Sequence, residues 1–236
     1  MSLRHRGYLR EATYKKDREY RDVAEHFYHA LVKFLKSKPD RLVYRKSDGG
    51  YSIVASEFWR HPLAKKLGVV FTPEHGRLSG GVGKAGKFDV LVFPIMLGPG
   101  DRRHLDTRLR QDVVVHEMIH FLDPGRDAGQ SSAAKFDSGR ESDYYNSPGE
   151  WNAYWQEGAA AVERFLRAPM VSHSTPEQKA KIIKTFFGGT TLKDVYERAN
   201  KFWDQGFLEN MTQKTERKFR KRLAQLWKSL KDRGML

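Results

Sequence analysis

Apolar residues recur every three or four positions near the start of the chain, between Tyr14 and about Leu35. That spacing is typical of an amphipathic α-helix with one buried face. The predicted face consists of Tyr20, Val23, Phe27, Leu31, Phe34 and Leu35. Because proline cannot continue a helix, we expect this one to end at residues 37–40, which include Pro39.

Shorter runs of β-branched and aromatic residues follow. They predict strands at residues 41–45, 51–55, 69–72 and 88–96. Residues 47–50, Ser-Asp-Gly-Gly, predict a hairpin turn between the first two strands.

The glycine-rich segment 80–87 matches the pattern GxGxxG and the first seven positions of the Walker pattern, GxxxxGK. A phosphate-binding loop must lead into a helix N-terminus, whose free amides bind the anion. This segment leads instead into a strand-like run, and Phe88 stands where the Walker pattern needs Ser or Thr. We therefore expect a flexible connection between strands and no nucleotide site.

The second half of the chain has a helical pattern. After a turn at residues 98–100, one helix is predicted to begin at Asp106 or Thr107 and to end near Leu122. Residues 147–150 open another helix that extends to about Arg167. The remainder, from His173 on, is expected to be mainly helical.

The first of these helices carries the pattern His116-Glu117-x-x-His120. Histidines four residues apart on a helix project from one face and can reach a single zinc ion at about 2 Å. Glu117 would lie beside that ion as a general base toward the attacking water. Ordinary surface histidines near a helix C-terminus are the competing interpretation. The flanking residues are apolar nearly all round, which indicates burial and favours a metal site.

A third protein ligand is needed for a catalytic zinc, and without cysteine it must be a histidine or a carboxylate. Glu150 is the preferred candidate, since Ala153 one turn later allows close helix approach. Ser147 and Glu150 also fit a capping box, in which Glu150 would bond to a backbone amide. In that case Glu157 becomes the candidate ligand.

Three further side chains have weaker interpretations. Asp123 could orient a ligand imidazole or cap its helix. Tyr144 and Tyr145 could donate to a developing oxyanion, although packing is the preferred role for such a pair.

The two segments 116–123 and 144–153 together resemble small zincin metallopeptidases of the gluzincin type, including phage and prophage members. The resemblance covers roughly residues 85–166. It implies a strand bordering the cleft, an active-site helix and a glutamate-bearing helix, with ligands His116, His120 and Glu150 and base Glu117. Asn152 departs from the pattern, because several relatives carry a second acid there.

The charge of the chain is strongly positive, with 43 Lys and Arg against 29 Asp and Glu and a net charge of +14. Such a balance favours polyanionic partners such as nucleic acid. Residues 214–233 predict a basic amphipathic helix. Docking of its apolar face on the core is the preferred interpretation, nucleic-acid binding is second and membrane-surface binding third.

The expected fold is α+β and zincin-like, with a small β-sheet packed on the active-site helix and helical extensions at both ends. The segments would be an N-terminal helical part (1–39), a catalytic core (40–168) and a basic helical part (169–236), together forming one compact unit. No apolar stretch is long enough to span a bilayer, so a cytoplasmic protein is expected, in the host if phage-encoded.

The expected function is that of a zinc-dependent endopeptidase acting on a protein or peptide substrate. The alternative is a basic nucleic-acid-binding or structural module with a degenerate zincin core.

Overall fold

The computed structural model describes residues 3–73, 81–95, 104–123, 141–189 and 191–236, with side chains from residue 16 onward. The turn expected at residues 98–100 lies outside the described residues. The chain divides into two compact units. We call Lys15–Gly125 the sheet unit, and Arg126–Leu236 with Met1–Tyr14 the helical unit. The segment boundaries expected at residues 39/40 and 168/169 stay predictions.

The first helix is longer than its apolar pattern predicted. It spans Leu3–Ser37 (α1) and is followed by a 3₁₀ turn at Pro39–Arg41. Four residues of the predicted face are buried, and Tyr20 and Val23 are half-buried. Phe27 meets Trp59 edge-on, with ring centroids 5.0 Å apart, so α1 supplies part of the core of the sheet unit.

Five strands form one mixed sheet in the order β1-β2-β3-β5-β4. They are β1 (Val43–Tyr44), β2 (Tyr51–Val54), β3 (Leu67–Pro73), β4 (Gly81–Ala85) and β5 (Phe88–Ile95). β3 and β5 run parallel, and the other neighbours are antiparallel. The α+β class and the hairpin between β1 and β2 are thus confirmed. Gly49 adopts φ +72° in that turn, a conformation that glycine reaches at little cost.

The glycine-rich segment corrects one prediction. Residues 81–85 are not a flexible connection but strand β4, which pairs with β5 through a turn at Gly86. The φ of Gly86 is +60°. Lys84 and Asp89 form an ion pair across the two strands. Because this segment leads into a strand, no helix N-terminus receives it, and the argument against a phosphate-binding loop stands.

The start of the histidine helix corrects another prediction. A short helix, α2 (Leu105–Arg108), is separated from α3 (Gln111–Leu122) by extended backbone. The Thr107 hydroxyl donates to the His104 carbonyl oxygen at 3.0 Å and caps nothing. Asp112 lies in the first turn of α3 and pairs with Arg110, which suits the helix dipole. The predicted end at Leu122 is confirmed.

The described part of the helical unit consists of short and long helices around one apolar core. They are α4 (Glu141–Tyr145), α5 (Pro148–Arg167), α6 (Pro169–Ser172), α7 (Pro176–Phe187), α8 (Leu192–Glu197), α9 (Gln205–Glu209) and α10 (Gln213–Asp232). A 3₁₀ turn at Ala199–Lys201 precedes α9. The predicted span of α5 is confirmed.

The basic helix α10 lies on this core. Its predicted apolar face is fully confirmed, since all five residues are buried: Phe219, Leu223, Leu226, Trp227 and Leu230. Near its C-terminal end, Arg233 donates to the buried Glu163 carboxylate of α5 at 2.8 Å. Arg167 pairs with the same carboxylate at 3.1 Å. The buried charge is therefore compensated from two sides.

No helix among the described residues combines the length and the apolar character needed to cross a bilayer.

The packing of α5 predicts an effect of adding one methyl group at Gly158. A Cβ there would lie closer than 3.0 Å to the indole ring of Trp203, which is buried and donates to the Trp155 carbonyl. We expect Gly158→Ala to destabilise the protein by up to about 2 kcal/mol net, because an overpacking cost of about 1–3 kcal/mol outweighs a helix-propensity gain of about 1 kcal/mol. Urea denaturation followed by tryptophan fluorescence measures this loss.

Gly83→Ala is the control for that variant, because nothing lies within 4 Å of the added Cβ. Equal losses for the two variants would contradict the packing described for Trp203.

Candidate metal centre

Helix α3 brings the His-Glu-x-x-His pattern into the interior of the sheet unit. The helix packs against β4 and β5, and its last two turns are apolar on most sides. His116 is 7% exposed and Glu117 is 6% exposed, while His120 is half-buried. The predicted burial of this helix end is confirmed for residues 114–119, whereas Val113, Phe121 and Leu122 are half-buried. The interpretation of His116 as an ordinary surface histidine is excluded.

The two imidazoles face each other across one helical turn. Their Nε2 atoms are 3.1 Å apart, and their ring centroids are 4.9 Å apart. Two nitrogens bound at 2.0–2.1 Å to a tetrahedral zinc ion would be about 3.3 Å apart. Two facing N–H groups would repel, so the pair favours at least one neutral imidazole, the form that binds metals.

Glu150 lies in the first turn of α5, within the helical unit, and is 4% exposed. The capping box that competes for this carboxylate is not formed. The Ser147 side chain makes no capping hydrogen bond, and the Ser147 amide donates to the Tyr144 carbonyl at 3.1 Å. Complete capping boxes do occur at the starts of α7 and α8. The first turn of α5 therefore does not use its glutamate in a capping box.

One group of potential metal ligands occurs among the described residues: His116, His120 and Glu150. Each offers one ligand atom, and these three atoms all lie within 4.8 Å of one another. Glu157, the other candidate from the sequence, does not belong to this group and is half-buried. His104 and His173, exposed at helix ends, also lie outside it.

A cluster of phenols surrounds the start of α5. Tyr154 follows Glu150 by one helical turn, and its ring lies 6.4 Å from Tyr144 and 5.1 Å from Tyr145, centroid to centroid. Burial raises the pKa of Tyr154, as do the nearby phenols and Glu150. Burial and the Asp204 carboxylate raise the pKa of Tyr145 to about 12. Tyr145 and Tyr154 therefore stay protonated at neutral pH. Tyr144 and Tyr145 pack on each other with ring centroids 5.1 Å apart, and their role toward an oxyanion stays a prediction.

The basic helix α10 contacts the first turn of α5. The Lys218 ammonium lies 3.6 Å from the ring centroid of the buried Trp151, and the Arg222 guanidinium lies 5.1 Å from it. Arg222 also donates to the Asn152 side-chain oxygen at 3.1 Å. Two residues that directly follow Glu150 are thus fixed by cation–π and hydrogen-bond contacts.

Sequence reasoning missed this support. Asn152 attracted notice only as a departure from the metallopeptidase pattern, yet it is 1% exposed and accepts a hydrogen bond from Arg222. No local pattern could indicate this contact, because the two partners are 70 positions apart in the sequence. Tyr154 was identifiable in principle, since it stands one helical turn after Glu150.

Comparisons of the chain with models of known protein families, with curated proteins and with solved structures find no match.

The contacts of Arg222 predict a measurable loss on its removal. We expect Arg222→Met to destabilise the protein by about 1–2 kcal/mol, because it removes a cation–π contact and a hydrogen bond to a buried side chain. Lys221→Met is the matched control, since Lys221 is exposed and should change stability by at most about 0.5 kcal/mol. Chemical denaturation measures the free energy of unfolding of both variants. A loss of stability in Arg222→Met no larger than in Lys221→Met would show that the contacts of Arg222 do not stabilise the protein.

Proposed function

We propose that this protein is a zinc-dependent endopeptidase with His116, His120 and Glu150 as metal ligands and Glu117 as general base. The observation that carries the proposal is the close grouping of three potential ligand atoms, in a buried environment, beside a second buried glutamate on the histidine helix. A zincin-like arrangement of the core forms part of the same proposal.

The donor set fits zinc. Two imidazole nitrogens and one carboxylate oxygen are one of the ligand sets found in catalytic zinc sites, which keep a further position open. Structural zinc sites instead use four protein ligands and are mostly rich in cysteine, which this chain lacks. The composition of the group therefore favours catalysis over a structural role.

When bound, a zinc ion would supply Lewis-acid polarisation of the substrate carbonyl and activation of water near neutral pH. Glu117 would accept a proton from the attacking water and transfer it to the nitrogen of the leaving amine. Its low exposure supports that role, because few bulk waters compete for the carboxylate. His116 and His120 would have to be neutral to serve as ligands.

Strand β4 is suited to hold an extended peptide. It is an end strand of the described sheet, pairs there with β5 alone, and packs near α3. Gly81 and Gly83 leave little side-chain bulk along it. The outer edge of such a strand offers backbone N–H and C=O groups to which a substrate can add as a further strand.

The ligand assignment predicts how two glutamates of α5 differ. Zinc should bind at about one ion per chain. Mutating a residue that only hydrogen-bonds to a metal ligand typically weakens metal binding by roughly 10–100-fold, and Glu150→Gln should weaken it by more than that. Glu157→Gln is the matched control, because it makes the same change on the same helix outside the ligand group. Competition with a chromophoric chelator measures the affinities.

His116→Ala and His120→Ala should also abolish tight binding. Loss of zinc in Glu157→Gln with retention in Glu150→Gln would show that the third ligand is assigned wrongly.

The role of Glu117 predicts a variant that separates metal binding from chemistry. Glu117→Gln should retain zinc and lose about 10²- to 10⁴-fold in the rate of peptide hydrolysis, because it removes the proton acceptor but no ligand. Cleavage of a fluorogenic peptide library by the zinc-loaded protein provides the assay, with Glu157→Gln as the control. Undiminished cleavage by Glu117→Gln would refute the assignment, and no cleavage by the wild-type protein would refute the proposed activity.

A further inference from the structure

Seven of the eight basic residues of α10 fall into two sets with different surroundings, and the eighth, the exposed Lys231, belongs to neither. Those of the first set contact the protein itself: Lys218 and Arg222 at Trp151, and Arg220 at Glu216 and Tyr196. The second set, which we call the basic stripe, consists of Lys214, Arg217, Lys221 and Lys228. All four are exposed, and none forms an ion pair with another residue in the described part of the chain.

The basic stripe follows one side of the helix. At 100° per residue, its four members fall within an arc of about 60°, opposite the buried apolar face. At 1.5 Å per residue, the stripe from Lys214 to Lys228 is about 21 Å long. Of the two acids of α10, Glu216 lies on another side of the helix and is bonded to Arg220 and Tyr196. Asp232 lies in line with the stripe, one turn beyond Lys228 at its C-terminal end.

The stripe is held in a fixed position. Phe219, Leu223, Leu226 and Leu230 are at most 1% exposed, and Arg233 ties the end of the helix to the buried Glu163. A partner that binds the stripe therefore need not order the helix first, which lowers the free-energy cost of association.

A straight row of lysine and arginine side chains on a rigid helix complements a polyanion with regularly spaced charges. We propose that the basic stripe binds the phosphate backbone of nucleic acid without sequence preference. The two aromatic residues of α10, Phe219 and Trp227, are buried and cannot stack on bases, so recognition is confined to the backbone.

The same burial argues against a membrane surface as the partner. An amphipathic helix that lies on a bilayer inserts its apolar face between the lipids. In α10 that face belongs to the protein core, with its five residues 0–6% exposed. Only the charged side of the helix remains available for binding. Contact with a phosphate backbone requires only positively charged side chains.

The test compares two variants with the same change in charge. Lys214→Gln, Arg217→Gln, Lys221→Gln and Lys228→Gln together remove the stripe. Lys65→Gln, Lys66→Gln, Lys181→Gln and Lys184→Gln together remove four exposed lysines elsewhere. Fluorescence anisotropy measures binding of the full-length proteins to a duplex DNA of about 20 base pairs and arbitrary sequence, between about 50 and 200 mM salt.

The proposal predicts a steep salt dependence for the wild-type protein. Removing the stripe should weaken binding at low salt and reduce the slope of log K against log salt by about 3–4, since each phosphate contact contributes about 0.9. The control variant should keep most of the wild-type slope. Glu117→Gln should bind DNA as the wild type does, which separates this property from hydrolysis.

Three outcomes would overturn the proposal. Equal weakening in both variants would show that only overall charge matters. No binding by the wild-type protein at about 50 mM salt would exclude a nucleic-acid site. Stripe-dependent binding to vesicles with anionic phospholipid, without binding to DNA, would assign the stripe to a lipid surface. Thermal unfolding by circular dichroism checks that both variants are folded, as expected for exposed substitutions.

Discussion

The burial of polar side chains on two helices is the constraint on which the rest of the structure depends. His116 and Glu117 on α3, and Glu150 on α5, are each less than a tenth exposed. Removing such groups from water costs several kcal/mol apiece unless hydrogen bonds, opposite charge or a metal compensate. The two imidazoles lie within hydrogen-bond distance of each other, and burial together with the Glu150 carboxylate raises the pKa of the neighbouring Tyr154 phenol.

Helix α5 shows how the helical unit meets this constraint. Glu150 lies in its first turn, Trp151 and Trp155 stack on each other in its first half, and Glu163 lies near its end. Trp155 lies parallel to Trp151 and close to Trp203, with ring centroids 6.1 and 5.5 Å away. Because side chains of α5 are packed near its start and near its end, the helix cannot easily rotate about its axis. The Glu150 carboxylate in its first turn therefore has a defined direction. Positioning of that kind is what a three-ligand site requires.

Local patterns predicted much of this structure, because they record burial directly. The 3.6-residue period gave the apolar faces of α1 and α10, and the proline at residue 148 marked the start of α5. The His-Glu-x-x-His spacing and the preference for Glu150 named the three residues of the group that could hold a metal ion, and their role as ligands stays a proposal. These successes concern residues whose role follows from neighbours within one or two helical turns.

Features that depend on distant partners could not be predicted. Strand β4 has two glycines in five residues, and only pairing with β5 makes it a strand. The contact of Arg222 with Asn152 joins residues 70 apart. Each of these is decided by tertiary contact more than by local preference.

Because the two faces of α10 have different roles, its sequence is constrained differently on each face during evolution. Its inner face completes the core of the helical unit, while its outer face carries the basic stripe. A segment of this kind cannot be gained or lost as a cassette, since cutting the chain after Asn210 would remove Phe219, Leu223 and Leu226 from the core. Charge on the outer face can drift one residue at a time, but the helix itself is inherited together with the fold.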